Sequence, residues 1–323
     1  MTSWRTTAIF HDLGLQAYSV QELTGGFYSL VKLVLHHEET LVCKIIGCKQ
    51  QRFSYRVAHE LVENLDQYHA YLQESNINLP KILDVRVLEA HHLSGQYLVA
   101  QLSQYVGENT AYIIQNAAPQ ETLQCLQQIL SDVLIPFFMT HAMTSGDLAV
   151  GIDPKPANFT RNGHKMFYVD LMPPLIRKNG IPLSDYPAPE TNFAKDRSYY
   201  RYYTITGVIH MLYLQTCRLR PNLHQQIYES LRLGLCASGL HKAWKKFQAI
   251  VPQLQCLLVT ELKQRIIQTT CAYELRSLGV PILADEKELL EQVFQLTTRE
   301  NETLDYNLGT VKKLLLQRLP SLA

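Results

Sequence analysis

The hydrophobic period of this 323-residue sequence changes near residue 103, which separates two kinds of segment. Before it, residues 27–35 and 40–46 are β-rich runs joined by His36-His37-Glu38-Glu39, a hairpin pattern. Residues 53–73 then repeat apolar side chains at helical spacing (Val57, Leu61, Leu65, Tyr68, Leu72), the mark of an amphipathic helix. Two further strands follow at 82–88 and 96–102, with a turn at 91–95. The order strand, strand, helix, strand, strand predicts a small antiparallel sheet with one helix packed on it. Past Ser103 the pattern is mainly helical. A helix is expected over 121–140, an irregular stretch over 145–159, a brief strand at 165–171 and a proline-rich segment over 173–189. Helical patterns then occupy 204–217, 223–236, 241–255, 259–278, 286–296 and 303–319. The expected class is α+β: a β-rich lobe over 1–102, a helical lobe over 103–323, and a cleft.

Composition narrows the function. An apolar fraction of 46% with 18% charged residues suits a folded chain with a large core and argues against disorder. Lys and Arg (30) nearly balance Asp and Glu (29), so no field suited to nucleic acid is indicated. The start mixes Trp4, Arg5, His11 and Asp12 among apolar residues, unlike a signal peptide, and apolar runs such as 133–139 are too short to span a bilayer. The 7 cysteines are scattered without a CxxC pair, which fits reduced, buried thiols better than a disulfide frame or zinc site. The expectation is a cytoplasmic protein with no nucleic-acid partner and no membrane span.

The sharpest local signal is Gly151-Ile152-Asp153-Pro154-Lys155-Pro156-Ala157-Asn158-Phe159, followed by Asp170 in Tyr168-Val169-Asp170-Leu171. Phosphoryl transfer needs a carboxylate to orient a hydroxyl, metal ions across the phosphates, and cations against the charge. Asp153 is the candidate for the first task. Asn158, five residues on, and Asp170, at the end of a short strand, are candidate oxygen ligands for magnesium. Lys155 is the candidate for the transferred phosphate. The same residues also make an ordinary turn, since Asp, Pro and Asn favour turns. Asp147 in Ser145-Gly146-Asp147 is an alternative acid, equally explained as a turn.

Asp153-Pro-Lys-Pro-Ala-Asn158 resembles the protein-kinase catalytic loop Asp-Leu-Lys-Pro-Glu-Asn, and Asp170 resembles the aspartate of the Asp-Phe-Gly motif. Leu41-Val42-Cys43-Lys44 resembles the Val-Ala-Ile-Lys strand. The resemblance implies that Lys44 meets the α- and β-phosphates and that Glu60, with Glu63 as fallback, pairs with it from the helix. Gly25-Gly26 resembles a reduced glycine-rich loop, and residues 101–107 fall where the family's hinge meets adenine. Ala188-Pro189-Glu190 and Gly207-Val208-Ile209 are two further echoes. The departures are Gly151-Ile152 for His-Arg, Leu171-Met172 for Phe-Gly, and Tyr202 for an aspartate of the buried helix. Without that arginine, control by a phosphorylated loop is not expected. The resemblance implies a bilobal protein-kinase-like fold, close to aminoglycoside- and choline-phosphotransferase types. It implies a kinase using ATP and Mg²⁺, with a small-molecule hydroxyl as acceptor. The alternatives are a protein Ser/Thr kinase and a nucleotide-binding pseudokinase.

Overall fold

The structure, a computed structural model, describes residues 19–23, 29–36, 38–47, 53–89, 95–178, 181–182 and 199–249. The front of the chain forms one antiparallel sheet of five strands: β1 (Ser19–Leu23), β2 (Ser29–His36), β3 (Glu39–Ile46), β4 (Ile82–Glu89) and β5 (Tyr97–Gln104). Its order is β1-β2-β3-β5-β4. The hairpin between β2 and β3 turns through Glu38 in the left-handed region, at φ 68°. Strand alternation builds the core: Leu41, Cys43 and Ile45 join Leu98, Ala100, Leu102, Val34 and Leu88 in one apolar cluster. Lys44, between Cys43 and Ile45, faces the other side. Its register partners are Val31 on β2 and Gln101 on β5.

Helix α1 (Tyr55–Glu74) begins at Ser54, whose hydroxyl accepts the Val57 amide at 3.4 Å, and packs on β4 and β5. Its buried stripe is Ala58, Leu61, Leu65, Tyr68 and Leu72. Val57, expected in that stripe, is instead 40% exposed, because Ala58 occupies the inward position one residue on.

The chain divides into two compact units, one of Met1–Thr110, Gln128–Asp153 and Ala157–Ile205, the other of Ala111–Gln127, Pro154–Pro156 and Thr206–Ala323. The first holds the sheet, α1, and a three-stranded sheet of β6 (Glu108–Asn109), β7 (Phe159–Asn162) and β8 (Lys165–Tyr168). Gly107 leads into β6 at φ 118°. A Cβ there would stand 2.3 Å from the Arg161 carbonyl oxygen of β7, so only glycine fits. The expected strand over 165–171 ends at Tyr168. β1 was not expected as a strand.

The expected helix over 121–140 is three pieces: α2 (Thr110–Asn116) precedes it, and α3 (Pro119–Ile129) runs into a π-helical turn, Leu130–Leu134, then α4 (Ile135–His141). Pro136 explains the break, because it has no amide to donate and its ring crowds the carbonyl four residues back. In the second unit α5 (Ile205–Leu219) and α6 (His224–Ala237) are described, with a helix over 241–249. Arg220 donates to the Ala117 carbonyl at 2.6 Å, and Gln127 to the Ser230 hydroxyl at 2.7 Å. An aromatic cluster of Tyr213, Tyr228, Trp244 and Phe247 fills its interior, with Tyr228 and Trp244 centroids 4.8 Å apart. Among the described residues no helix is long and apolar enough to cross a membrane.

Candidate active site

Lys44 and Asp170 lie 126 residues apart in sequence and meet side chain to side chain. Strand β3 fixes the lysine, since its neighbours Cys43 and Ile45 are buried on the apolar face. The Lys44 ammonium pairs with Asp170 Oδ1 and donates to the Met172 carbonyl at 2.6 Å. The pair is largely enclosed, at 14% and 22% side-chain exposure. That enclosure strengthens the attraction compared with a surface pair.

The loop carrying Asp153 is held by partners from distant segments. The Gly151 amide donates to the Leu175 carbonyl at 2.7 Å, and the Ile152 amide to the Tyr202 carbonyl at 3.1 Å. The Gly151 carbonyl accepts from the Tyr68 hydroxyl at 2.9 Å, and the Asp153 amide donates to the Tyr168 hydroxyl oxygen at 3.2 Å. The two phenols are themselves hydrogen-bonded. Burial pushes both well above the ordinary tyrosine range, and the nearby Asp170 and Asp153 carboxylates add to the shift. Both hydroxyls therefore stay protonated and act as fixed donors.

Asp153 is buried, at 5% exposure, with Arg201 Nη2 3.6 Å from its Oδ1. That distance is a charge contact rather than a hydrogen bond. Asn158 closes a 3₁₀ turn, Pro156–Asn158, and its amide nitrogen donates to the Asp153 carbonyl at 3.1 Å. Its own carbonyl accepts the Val169 amide at 2.9 Å, which ties the loop to the segment before Asp170. With the amide nitrogen so engaged, the side-chain oxygen of Asn158 is its remaining acceptor.

Glu60 does not meet the expectation of an ion pair with Lys44. It lies on the exposed face of α1, where Arg56 Nε donates to it at 2.8 Å one turn away. Glu63 is exposed as well. The helix places its inward stripe at Ala58, Leu61 and Leu65, so neither carboxylate points at the sheet. Lys155 is half-buried. Gly25 and Gly26 lie outside the described residues, as does Ala188-Pro189-Glu190. Val208 and Ile209 are fully buried in α5. Asp147 accepts the Ser145 hydroxyl at 2.9 Å, which makes it a turn residue. His141 bonds the Tyr71 carbonyl through Nε2 at 2.9 Å; burial holds its pKa below the ordinary value.

Gly151, where protein kinases carry histidine, has a local cause. A Cβ there would lie 2.8 Å from Cε1 of Tyr203 and 3.0 Å from the Leu175 Cβ. Tyr203 takes the space, stacking on Tyr199 at 5.8 Å, while Arg177 stands 4.9 Å over the Tyr199 ring. The backbone carbonyls of Tyr202 and Tyr203, the latter accepting the Leu148 amide at 2.7 Å, hold the loop. Tyr68, Tyr168 and Arg201 were not expected at the site. Tyr68 carried one signal, a lone polar tip in an otherwise aliphatic helical stripe.

Asp170 and Asn158 carry side-chain oxygens, the kind of atom that ligates a hard cation. Among the described residues no group of three or more His, Cys, Asp or Glu side chains would hold a metal alone.

A five-stranded antiparallel sheet with one helix after its third strand, followed by mainly helical segments, is the architecture that the kinase resemblance implied. No family model matches the sequence, and no curated protein matches it. Among solved structures the chain is similar to the amicoumacin kinase hAmiN in complex with AMP-PNP, Ca²⁺ and Ami. Identity there is 10% over 92% of this chain and 94% of that one, with a TM-score of 0.47. It is similar to the ROP18 kinase domain in complex with AMP-PNP and sucrose at 13% identity, over 79% and 92% of the two chains, TM-score 0.45. It is also similar to the MAP kinase LmaMPK10 from Leishmania major, at 15% identity and TM-score 0.33. That match covers 54% of this chain and 50% of the kinase, so the chain spans half its length.

Proposed function

We propose that this chain is an ATP-dependent phosphotransferase that moves the γ-phosphate to a hydroxyl group, with a small molecule as acceptor. One observation carries the reading: Lys44 from the sheet meets Asp170, while Asn158 and Tyr168 hold Asp153 in the neighbouring loop. In this reading Asp153 orients the acceptor hydroxyl and receives its proton. Lys44 meets the α- and β-phosphates and Lys155 the transferred group. Asn158 and Asp170 hold magnesium, which supplies charge neutralisation across the phosphates. Arg201 keeps a positive charge beside Asp153. In the 101–107 segment, read as meeting adenine through its backbone, the amides of Gln104 and Tyr105 are engaged by the Lys81 and Thr40 carbonyls, and the Val106 carbonyl accepts the Thr160 hydroxyl at 3.5 Å. A small-molecule acceptor fits the site better than a loop-regulated protein kinase, because Gly151-Ile152 stand in place of His-Arg and Tyr203 fills the space beside Gly151.

Transfer of labelled γ-phosphate by purified protein tests the reading. Asp153→Ala should retain nucleotide affinity and lose turnover by about 10²-fold or more, whereas Asp170→Ala should lose magnesium-dependent affinity. Wild-type protein without turnover, or equal loss of binding in both variants, overturns it. A second reading, a nucleotide-binding pseudokinase, is favoured by the exposed Glu60 and by the engagement of Lys44 with Asp170. Nucleotide binding that stabilises wild type without any phosphate release would select it.

A further inference from the structure

We infer that Gln101 is the positioning residue for Lys44, the task that the kinase resemblance gave to Glu60; the inference rests on the phosphotransferase reading. Gln101 is 3% exposed, and its side-chain oxygen is buried with no hydrogen-bond partner among the described residues. An amide oxygen left unpaired in the interior destabilises a fold, so an acceptor kept there points to a donor that arrives in another state. The sheet names that donor. Gln101 on β5 stands directly opposite Lys44 on β3, so both side chains leave the same face of the ladder. Directly opposed residues have Cβ atoms about 4.5–5.5 Å apart, well within the combined reach of lysine and glutamine.

Lys44 has three N–H donors. Its two acceptors are Asp170 and the Met172 carbonyl. To meet a phosphate, the lysine must leave Asp170 and still be held in place. Helix α1 offers nothing for this, because Glu60 is turned to Arg56 and Glu63 is exposed. Gln101 supplies the missing acceptor from the sheet. A neutral oxygen orients the ammonium without cancelling the charge that the phosphates need. Loss of the α1 ion pair and retention of a buried, unpaired glutamine are thus two sides of one rearrangement.

The test compares Gln101→Leu, Gln101→Glu and Glu60→Ala in the full chain. Magnesium-ATP binding is measured by calorimetry, with steady-state KM and kcat, and folding by chemical denaturation. Gln101→Leu should fold at least as stably as wild type, since it removes a buried unpaired acceptor. It should bind magnesium-ATP about tenfold or more weakly, the worth of one hydrogen bond to a charged group, and raise KM for nucleotide but not for the acceptor. Gln101→Glu keeps an oxygen at the same reach but adds a charge that competes with the phosphates for Lys44, and should also bind magnesium-ATP more weakly than wild type, whereas Glu60→Ala should stay within a few-fold of it. A folded Gln101→Leu with wild-type nucleotide affinity overturns the inference and leaves the phosphotransferase reading standing. So does a Glu60→Ala protein that loses affinity as Gln101→Leu was expected to. Wild-type protein that binds no nucleotide overturns the phosphotransferase reading itself, and the inference with it.

Discussion

The β1–β5 sheet and the loop from Leu148 to Asn158 hold their backbones by opposite means. In the sheet, neighbouring strands satisfy each other's amides, and alternation alone decides that Cys43 and Ile45 go into the core while Lys44 does not. The loop has no such ladder through Gly151, Ile152 and Asp153. Its polar groups are met one at a time, by Tyr68, Tyr168, Leu175, Asn158 and Tyr202. A sheet tolerates exchange of side chains that keep the alternation. A loop satisfied by single distant partners does not, because each partner meets a backbone group that nothing else reaches.

Tyr168 tests that contrast most severely. Tyr168→Ala removes a fully buried ring and the acceptor for the Asp153 amide together, and should destabilise the fold by about 3–5 kcal/mol in denaturant titration. Tyr168→Phe keeps the ring and should cost about 1–2 kcal/mol, with a larger fractional loss of turnover than of stability. If the alanine and phenylalanine variants were alike, the hydroxyl network would not be what holds the loop. A milder effect concerns His141, which joins α4 to α1 through the Tyr71 carbonyl. Its folded pKa lies below the unfolded value because of burial. The unfolded chain therefore binds the proton more readily, and stability should be full above about pH 6.5 and fall as pH drops below it. His141→Gln should flatten that slope in denaturation midpoints measured from pH 7.5 to 5. The smallest effect belongs to the helix surface. Glu60→Ala should change stability by less than about 0.5 kcal/mol, since exposed i,i+4 pairs contribute little. A loss of several kcal/mol would restore Glu60 to the interior.

The sequence was informative where one residue type at one spacing has one physical use. The alternation through Leu41, Cys43 and Ile45 placed Lys44 on the opposite face, and the stripe from Leu61 to Leu72 gave α1 its inward side. The helix over 121–140 was overrun because apolar spacing continues smoothly through Leu130–Leu134. The proline that breaks it acts through a missing amide, not through hydrophobicity. Glu60 was misplaced because a family position specifies a sequence number and not a face; the shift of the stripe from Val57 to Ala58 turns that carboxylate outward. Tyr68, Tyr168 and Arg201 were invisible for a common reason. Each acts through a contact made across the fold, and no local period encodes which backbone carbonyl or carboxylate will stand opposite.

The contact between Gly151 and the Tyr203 ring closes one evolutionary route. A histidine at 151 would have to push aside an aromatic ring that is 2% exposed and stacked on Tyr199. The His-Arg dipeptide of protein kinases would take two substitutions here, and a third at position 203 to make room for the histidine. Grafting the dipeptide alone into this scaffold would yield a crowded loop, not a regulated enzyme.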